Sequence, residues 1–549
     1  MNKIRIDCGK RPVFWRLIYF RGVFMSKSFI SVNNLSYVLP NGDLLFDKVF
    51  VDFNRGEKVA IIGDNGVGKT TLLRLVMGEI APAGGEIVRQ AKISVLPQDI
   101  GSWQGSVADI LGVAGILKAI KKAEGGGAEA EDFELIGQQW DIEERIARIF
   151  TGFEISQNPD DYFAPLSGGE KEKILIAKVF LSDADILFFD EPTNNLDANA
   201  RSAFYQKITE TDKGIVIISH DRELLNKMNQ IAEMTAVGIK KYGGDYEFYK
   251  KAKEAEKQNL IEKKIHVDKE TGRLKATQQR LQEQEARKTK YGEKQVENRR
   301  YSRIAANALK GEAEKSGAKK KTALDEKIGA REEESYQLGL ELKEEKIKIP
   351  LPANPFIWNK LAEIKDLDFG YEGKTLIKGL NFVMSGADRV RITGDNGSGK
   401  TTLIKLITGD LRPNRGEACL FGKAIYLNQD LSLIDRRKTV LENIIDYNHG
   451  ITVNEAYAIA ANFKFRNVAA QKSAADLSGG ERLRAALAMI LGTKEQPDLI
   501  ILDEPTNNLD IKSLEVLEDA LRQYQGALLV VSHDRAFANN VGINKEISL

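Results

Sequence analysis

Short runs of apolar residues, rich in β-branched side chains, recur along the chain and end at glycine-rich or polar segments. Runs of this length that are apolar throughout are typical of strands buried on both faces of a parallel sheet. They predict strands at Val59–Ile62, Ile186–Phe189, Ile215–Ile218, Val390–Thr393, Ile500–Leu502 and Ala527–Val531. Apolar-periodic stretches at Ile174–Ala177 and Ala485–Ala488 predict helices between these strands, so the pattern indicates an α/β fold.

Residues 251–350 follow a different pattern, in which apolar residues are widely spaced among charged ones. Four that recur every seven residues predict one long helix: Leu260, Val267, Leu274 and Leu281. Four that share a helical face predict a second helix: Leu324, Ile328, Leu338 and Leu342. Gly311 and Gly317 predict the turn between them, and Pro350 ends the second helix. The segment is therefore predicted to be an α-helical hairpin linker with helices of ~40 residues, each ~60 Å long.

Charge is distributed unevenly, although the chain of 549 residues carries a net charge of only +1. Residues 251–350 contain 26 Lys and Arg against 19 Asp and Glu, and residues 271–321 contain 15 against 6. Basic and aromatic side chains interleave near the turn, at Arg299, Arg300, Tyr301 and Arg303. This surface suits phosphate contacts and base stacking, which favours a hairpin whose basic tip contacts nucleic acid. The alternative is a solvated linker whose charges only keep it soluble.

A glycine-rich loop that fits G-x-x-x-x-G-K-[ST] follows the first predicted strand of each half. In such a loop backbone N–H groups face phosphates, the lysine meets the outer phosphates and the hydroxyl reaches Mg²⁺. With the threonine that follows it, the first copy comprises Gly63, Asp64, Asn65, Gly66, Val67, Gly68, Lys69, Thr70 and Thr71. The second comprises Gly394, Asp395, Asn396, Gly397, Ser398, Gly399, Lys400, Thr401 and Thr402. Two such loops predict that the chain binds two nucleotides, with Thr70 and Thr401 as ligands of Mg²⁺.

The two halves stay in register far beyond these loops, which indicates a duplicated domain rather than a repeated motif. The loop lysines are 331 residues apart and the later Leu-Ser-Gly-Gly-Glu segments 311 apart, so the first copy carries a 20-residue insertion between them. We predict two ATPase domains at 25–250 and 351–549, with the linker at 251–350. Residues 1–24 precede the repeated unit, so we interpret them as an upstream extension and Met25 as the true start.

Each half carries an acidic pair directly after a predicted buried strand. Asp190 and Asp503 would lie at the carboxyl edge of the sheet, where a Walker-B aspartate holds Mg²⁺. Glu191 and Glu504 come next and are the predicted catalytic bases that accept a proton from the water attacking the γ-phosphate. The alternative, a charge pair at a helix N-terminus, is disfavoured because each pair follows a phosphate loop in the same half.

Only four histidines exist in the chain, and two of them occupy equivalent positions after another predicted strand. A lone histidine at a strand end is usually structural. Because His220 and His533 recur in both halves, we predict that they sense the γ-phosphate. Gln98 and Gln429 are the predicted partners of Mg²⁺ and of the attacking water.

Leu166 and Leu477 each begin a Leu-Ser-Gly-Gly-Glu segment that opens a predicted helix. The amides there would form an anion site at a helix N-terminus: Ser167, Gly168 and Gly169, and Ser478, Gly479 and Gly480. With the loops and acidic pairs, these segments resemble the ATP-binding cassette ATPases over about 420 residues. The resemblance implies cassettes that close head to tail around ATP, so that Lys69 shares a nucleotide with Ser478, and Lys400 with Ser167.

The same resemblance implies further nucleotide contacts. Asp197 and Asp510 end the acidic motifs and would border the bound ATP. The superfamily places an aromatic residue under adenine about 30 residues before each loop, at Tyr37 and Phe369, with Tyr371 as a substitute in the second copy. The alternative for these aromatics is a place in the core of an antiparallel sheet.

Three details are similar to the ABC-F branch, in which two cassettes share one chain with a helical linker. They are Glu-Pro-Thr-Asn-Asn-Leu-Asp in both copies, Ser-His-Asp-Arg in both copies, and the Tyr-rich segment at 242–249 before the linker. Lys173 departs from the branch, which usually has arginine there, as at Arg484. The chain also ends 14 residues past Arg535, without the C-terminal coiled coil of the DNA-associated members.

The resemblance implies a ribosome-associated ATPase that binds the tRNA exit site with ATP and Mg²⁺ held. Its linker tip would reach the ribosomal RNA and the P-site tRNA, and it would modulate translation or protect the ribosome from antibiotics. It would act as a monomer through pairing of its own cassettes. Two other classes stay open: a DNA-associated ATPase, and the ATP-binding subunit of a membrane transporter.

Other features limit the remaining classes. No apolar run approaches the ~18 residues needed to span a bilayer, and arginines interrupt the apolar residues of the first 24. Cys8 and Cys419 are too few and too far apart for a disulfide framework, which fits a cytoplasmic protein. Around Gly125–Gly127 the insertion of the first copy is predicted to be a flexible loop, with an arm that contacts the ribosomal stalk as the alternative.

Overall fold

The computed structural model describes residues 28–96, 103–297, 322–339, 341–342, 347, 349–350, 352, 358–371, 374–395, 397–428, 430–507 and 509–549. Within these residues the chain forms two α/β domains, hereafter the first and second cassettes, with a long helix between them. Each cassette has a largely or wholly parallel sheet and a three-stranded antiparallel sheet. The predicted fold class is therefore confirmed.

The first cassette has sheet orders β5-β6-β7-β3-β8-β9 and β2-β1-β4, with β9 antiparallel to β8. Its strands are β1 Ser28–Val38, β2 Leu44–Asn54, β3 Lys58–Ile62, β4 Gly84–Arg89, β5 Ile93–Val95, β6 Ile186–Asp190, β7 Gly214–Ile218, β8 Gln230–Thr235 and β9 Gly238–Gly243. Its helices are α1 Lys69–Met77, α2 Val107–Leu111, α3 Ala114–Glu124, α4 Ala130–Ile136, α5 Ile142–Gly152, α6 Gly168–Leu181, α7 Ala198–Glu210 and α8 Arg222–Leu225.

After the linker, described as α9 and α10 below, the second cassette repeats this plan, with sheet orders β14-β15-β16-β12-β17 and β11-β10-β13. Its strands are β10 Ala362–Tyr371, β11 Lys374–Met384, β12 Arg389–Thr393, β13 Arg415–Leu420, β14 Ala424–Leu427, β15 Leu499–Asp503, β16 Ala527–Val531 and β17 Lys545–Ser548. Its helices are α11 Lys400–Thr408, α12 Val440–Tyr447, α13 Val453–Asn462, α14 Gly479–Leu491, α15 Ile511–Gln523 and α16 Arg535–Asn540, with short 3₁₀ turns at Asn467–Gln471 and Ala474–Asp476.

The parallel strands carry the core of each cassette. All five residues of β7 and of β16 are buried, and in β6 and β15 only the terminal aspartate is partly exposed. These runs are apolar without alternation because both faces of the sheet are covered. Because β6 runs parallel to β3, and β15 to β12, their polar ends lie at the same sheet edge as the phosphate loops, which fixes the place of the nucleotide sites.

The linker begins earlier and is longer than the pattern predicts. Its first helix, α9 (Tyr246–Glu297), has 52 residues, which corresponds to ~78 Å. The predicted second helix is present as α10 (322–339) and runs antiparallel to α9. Lys263 pairs with Glu334 at 3.8 Å, and Lys275 with Glu332 at 2.6 Å.

Apolar side chains of the two helices are also buried. Val267 on α9 and Ile328 and Leu338 on α10 are buried, whereas Leu281 is exposed, so only part of the predicted apolar stripes is covered. The predicted turn at Gly311 and Gly317 and the basic tip from Arg299 to Lys321 lie outside the described residues.

The insertion of the first cassette is helical on both sides of a short loop at 125–129, so the predicted loop is confirmed there and wrong from Ala130, where α4 begins. Helices α3 and α4 pack against each other, and Gly125–Gly127 only join them. Ile116, Leu117 and Ile120 line the buried face of α3, and Lys122 pairs with Asp132 of α4 at 2.9 Å. The i, i+1, i+4 spacing of these apolar residues is typical of a helix, but the prediction gave more weight to the three glycines.

Two further predictions concern the chain as a whole. The described helices include none that combines the length and the apolarity needed to cross a membrane. The proposed upstream extension at residues 1–24 lies outside the part of the chain that the structure describes.

Candidate nucleotide sites

Each phosphate loop joins the end of a buried strand to the first turn of a helix. In the first loop the Lys69 ammonium donates to the carbonyl oxygens of Gly63 at 2.7 Å and Asp64 at 3.1 Å. A Cβ on Gly63 would lie 2.3 Å from the Met234 carbonyl oxygen, so only glycine fits this position. Gly68 has φ of 103° where α1 begins, a conformation that favours glycine.

The second loop has the same geometry. The Lys400 ammonium donates to the carbonyl oxygens of Gly394 at 2.8 Å and Asp395 at 3.0 Å. Gly399 has φ of 104° at the start of α11. Both loops therefore hold a lysine in a cradle of backbone groups, as a phosphate site requires.

A hydroxyl and a carboxylate meet beside each loop. Thr70 Oγ1 donates to Asp190 Oδ2 at 2.6 Å, and Thr401 Oγ1 donates to Asp503 Oδ2 at 3.1 Å. Among the described residues, no group of three or more His, Cys, Asp or Glu side chains could hold a metal ion. A single carboxylate with one hydroxyl fits Mg²⁺, which takes its other ligands from phosphate oxygens and water.

The glutamates next to these aspartates have unusual backbone and protonation properties. Glu191 and Glu504 have φ of 47° and 44°, in the left-handed region that non-glycine residues seldom adopt. The Glu191 N–H donates to the Ile218 carbonyl at 2.8 Å, and the Glu504 N–H to the Val531 carbonyl at 2.9 Å, which holds these conformations. Burial raises the pKa of Glu191 to about 8, helped by Asp190, and burial raises the pKa of Glu504 to about 7.

The two predicted histidines lie against these glutamates. Nε2 of His220 is 3.4 Å from Glu191 Oε1, and Nε2 of His533 is 3.5 Å from Glu504 Oε1. Burial, then the loop lysines, lowers the pKa of each histidine to about 4, so both are neutral at pH 7. Nδ1 of His220 and Nε2 of His533 are buried without a hydrogen bond to any described residue, so the unpaired ring nitrogen differs between the two sites.

The Leu-Ser-Gly-Gly-Glu segments form the predicted helix starts. Ser167 caps α6 in a reciprocal capping box, in which Glu170 accepts from the Ser167 N–H at 2.8 Å. Ser478 caps α14 in the same way, and Glu481 accepts from its N–H at 2.9 Å. These boxes fix the serine hydroxyls and the glycine amides of the first turn at the helix N-terminus.

Side chains from the second cassette reach the first phosphate loop. Asp510, the N-cap of α15, accepts a hydrogen bond from the Asn65 N–H at 3.0 Å. Lys512 Nζ pairs with the Asp64 carboxylate at 2.9 Å. The last aspartate of the second acidic motif therefore borders the first site. Its counterpart Asp197 pairs with Lys173 of its own cassette at 3.0 Å, and its charge also acts on Lys400 and His533 of the second cassette, where it partly opposes the lowering of their pKa values.

The predicted adenine aromatics differ in exposure. Tyr37 is partly buried and packs on Phe46 in the antiparallel sheet, with ring centroids 6.3 Å apart. Phe369 is only 7% exposed and belongs to the core, whereas Tyr371 is 50% exposed and contacts Phe369 edge-on at 5.0 Å. In the second site the accessible ring is thus that of Tyr371.

The remaining predicted positions fall into two groups. The structure places the following in the phosphate loops, or in the first helical turns after these loops or within the Leu-Ser-Gly-Gly-Glu segments: Gly66, Val67, Thr71, Gly397, Ser398, Thr402, Gly168, Gly169, Gly479 and Gly480. Gln98, Asn396 and Gln429 lie outside the described residues.

One polar contact in the second site was not predicted from the sequence. The Tyr426 hydroxyl donates to Asp503 Oδ2 at 2.9 Å, on the same oxygen that Thr401 contacts. Val95 stands at the equivalent position of the first cassette and has no polar side-chain atom. Comparison of the repeats pairs tyrosine with valine here, but it gives no sign that the tyrosine touches the carboxylate.

Each cassette has a phosphate loop, an acidic pair at the edge of its sheet and a helix capped by the serine of its Leu-Ser-Gly-Gly-Glu segment, hereafter the signature. These features make this chain an ATP-binding cassette ATPase. The chain matches the ABC transporter family over residues 46–194 and 377–507. It belongs to the ABC-F family of these ATPases.

Two relatives support this assignment. The chain is 31% identical over 529 residues to the energy-dependent translational throttle protein EttA of Mycobacterium tuberculosis, covering 90% of this chain and 87% of the relative. It is 29% identical over 535 residues to ABC transporter F family member 5 of Arabidopsis thaliana, covering 91% and 72%.

A solved structure with a similar fold is the archaeal ribosome recycling factor aABCE1, in complex with the ribosomal stalk protein aP1. Its TM-score is 0.57 at 18% identity, and the match covers 94% of this chain and 87% of that one. At this identity the similarity concerns the fold alone.

Proposed function

We propose that this ATPase binds the ribosome with ATP held between its cassettes and uses its linker to modulate translation. The observation that carries the proposal is the contact of Asp510 with the Asn65 N–H across the cassettes. A phosphate loop that is already bordered by the opposite cassette is suited to ATP-dependent closure. ATP stabilises closure only through contacts that exist in the closed state.

Within each site we assign the roles from the geometry. Thr70 with Asp190, and Thr401 with Asp503, would hold Mg²⁺, which neutralises charge on the phosphates. Glu191 and Glu504 would accept the proton of the attacking water, and their raised pKa values lie near the working pH that a general base requires. The neutral His220 and His533 would contact the γ-phosphate. Tyr37 and Tyr371 would stack on the adenines.

The charge and the length of the linker favour nucleic acid as its partner. Residues 271–321 contain 15 basic and 6 acidic residues, and α9 spans ~78 Å, long enough to carry this charge far from the cassettes. The relative EttA is named as a translational throttle. We propose that the tip contacts ribosomal RNA and the P-site tRNA from the tRNA exit site, and that the tip sequence decides between elongation control and protection against antibiotics.

The test is co-sedimentation with 70S ribosomes of the Glu191→Gln, Glu504→Gln variant. This variant is expected to bind ATP and to lose multiple-turnover hydrolysis by at least ~100-fold, because no carboxylate can accept the proton. We expect it to pellet with ribosomes in ATP and not without nucleotide.

One control completes this experiment. The same variant lacking residues 299–321 should pellet less, because it lacks the basic tip. Pelleting that is absent, or equal without nucleotide, would contradict the proposal, and branched DNA would then be the next ligand tested.

A further inference from the structure

A buried ion pair joins Ser219–Arg222, hereafter the first switch segment, to the second cassette. Arg222, two residues after His220, donates to both oxygens of Glu518 on α15, at 2.7 Å and 3.3 Å. The two side chains are 12% and 5% exposed. A bidentate pair with this burial fixes the relative position of the two groups far better than a surface pair does.

The helix that Arg222 begins also contacts the base of the linker. Asn226, which follows α8, accepts a hydrogen bond from the Glu247 N–H in the first turn of α9 at 3.2 Å. The Arg222 guanidinium faces the hydroxyl of Tyr246, the first residue of α9, which is 4% exposed. Helix α8 is therefore tied to α15 at one end and to α9 at the other.

Helix α15 carries the other contacts with the first site. Its N-terminal residues Asp510 and Lys512 bind the first phosphate loop, and Glu518 lies two turns further along the same helix. A continuous set of contacts thus runs from the first loop through α15 and α8 to the linker. Because α15 is a single helix, these contacts form a route by which a displacement at the loop would reach Arg222.

The second site lacks this arrangement. Tyr205 on α7 stands where Glu518 stands in the repeat, and its hydroxyl donates to Asp221 of its own cassette. Arg535, the counterpart of Arg222, is exposed. Among the described residues, the start of α9 contacts the first switch segment. The other end of the linker contacts α15, where Gln523 donates to the Ile347 carbonyl oxygen at 3.0 Å.

We propose that Arg222 is a positioning residue that couples the first nucleotide site to the linker, through Glu518 on one side and the start of α9 on the other. The proposal rests on the proposed function, because it takes ATP-dependent closure as its input. It assigns the movement of α9 relative to the first cassette to the first site.

The test measures distances between spin labels in the Glu191→Gln, Glu504→Gln background, with and without Mg-ATP. Native cysteines are replaced by Cys8→Ser and Cys419→Ser. Labels at exposed positions 210 and 284 report the linker relative to the first cassette, and labels at exposed positions 210 and 495 report closure. Arg222→Met with Glu518→Gln removes the pair without leaving one charge buried alone.

We expect this double variant to lose the ATP-dependent shift between 210 and 284 and to keep that between 210 and 495. Arg535→Met, the matched control, should keep both shifts, and Arg222→Glu with Glu518→Arg should restore the linker shift. A linker shift that survives in the double variant, or is lost equally in Arg535→Met, overturns the proposal. Absence of the closure shift in the parent would instead contradict the proposed function.

Discussion

The catalytic glutamates illustrate how single residues depart from ordinary chemistry in this protein. Glu191 and Glu504 combine a left-handed backbone with a carboxyl group whose pKa is raised. A residue in a sparsely populated backbone region costs of order 1–3 kcal/mol and persists only where the surroundings hold it. Here neighbouring strands hold it through hydrogen bonds from both glutamate N–H groups, at 2.8 and 2.9 Å.

These pKa values predict the pH dependence of ATP hydrolysis. A base must be ionised, and the pKa values of about 8 for Glu191 and about 7 for Glu504 mean that both are protonated in acid. We expect kcat/KM, which reports the unliganded enzyme, to fall about tenfold per pH unit below pH ~7. The measurement is initial hydrolysis rates from pH 5.5 to 9, with nucleotide binding followed in parallel. A flat profile with unchanged binding would show that these carboxyls are not the bases.

At the scale of elements, the signature helix of the first cassette contains a buried acid. Glu172 on α6 is 3% exposed, and its Oε2 has no hydrogen bond to any described residue. Burial raises its pKa from 4.5 to about 7, which Asn195 and Arg201 only partly oppose. Leu483 occupies the equivalent place on α14, so the helix does not need a carboxyl group there.

We therefore predict a pH-dependent gain in stability from Glu172→Gln. The folded chain holds this proton to higher pH than the unfolded chain, so the Glu172 contribution to the free energy of unfolding falls as pH rises from 4.5 to about 7. Relative to the parent, the variant should gain up to roughly 3 kcal/mol at pH 8 and much less at pH 5. Thermal unfolding of the first cassette at both pH values measures this difference, with Glu172→Leu as the matched control. A variant that loses more stability at pH 8 than at pH 5 would refute it.

The elements also show which features the sequence reveals. The predicted strand Val59–Ile62 differs by one residue from β3, because a buried parallel strand is apolar without interruption. Ser167 was placed correctly because its capping box is a local pattern.

Features that depend on tertiary structure were missed. Glu518 and Arg222 are 296 residues apart in the chain, and no local spacing relates them. The contact of Tyr426 could likewise not be predicted, because its partner Asp503 is brought close only by the pairing of β14 with β15. The start of α9 at Tyr246 was also missed, because the charge pattern of the linker begins several residues after the first residue of the helix.

At the scale of the whole molecule, a duplicated domain has acquired two unequal sites. The first loop is contacted by Asp510 and Lys512 of the second cassette, and the first switch segment adjoins the linker. The second site has Tyr426 on its metal-site aspartate. Duplication thus gives two nucleotide sites with one fold. Sequence differences between the two cassettes give each site different neighbouring residues.

The central claim is that each ATP is shared between a phosphate loop and the opposite signature. The most direct test counts ATP retained per chain in the Glu191→Gln, Glu504→Gln background, after rapid gel filtration with labelled nucleotide. Lys69→Ala with Ser478→Arg should disable one site and retain about one ATP, whereas Lys69→Ala with Ser167→Arg should disable both and retain none. The reverse order, with ATP kept in the second variant and lost in the first, would contradict sharing between the cassettes.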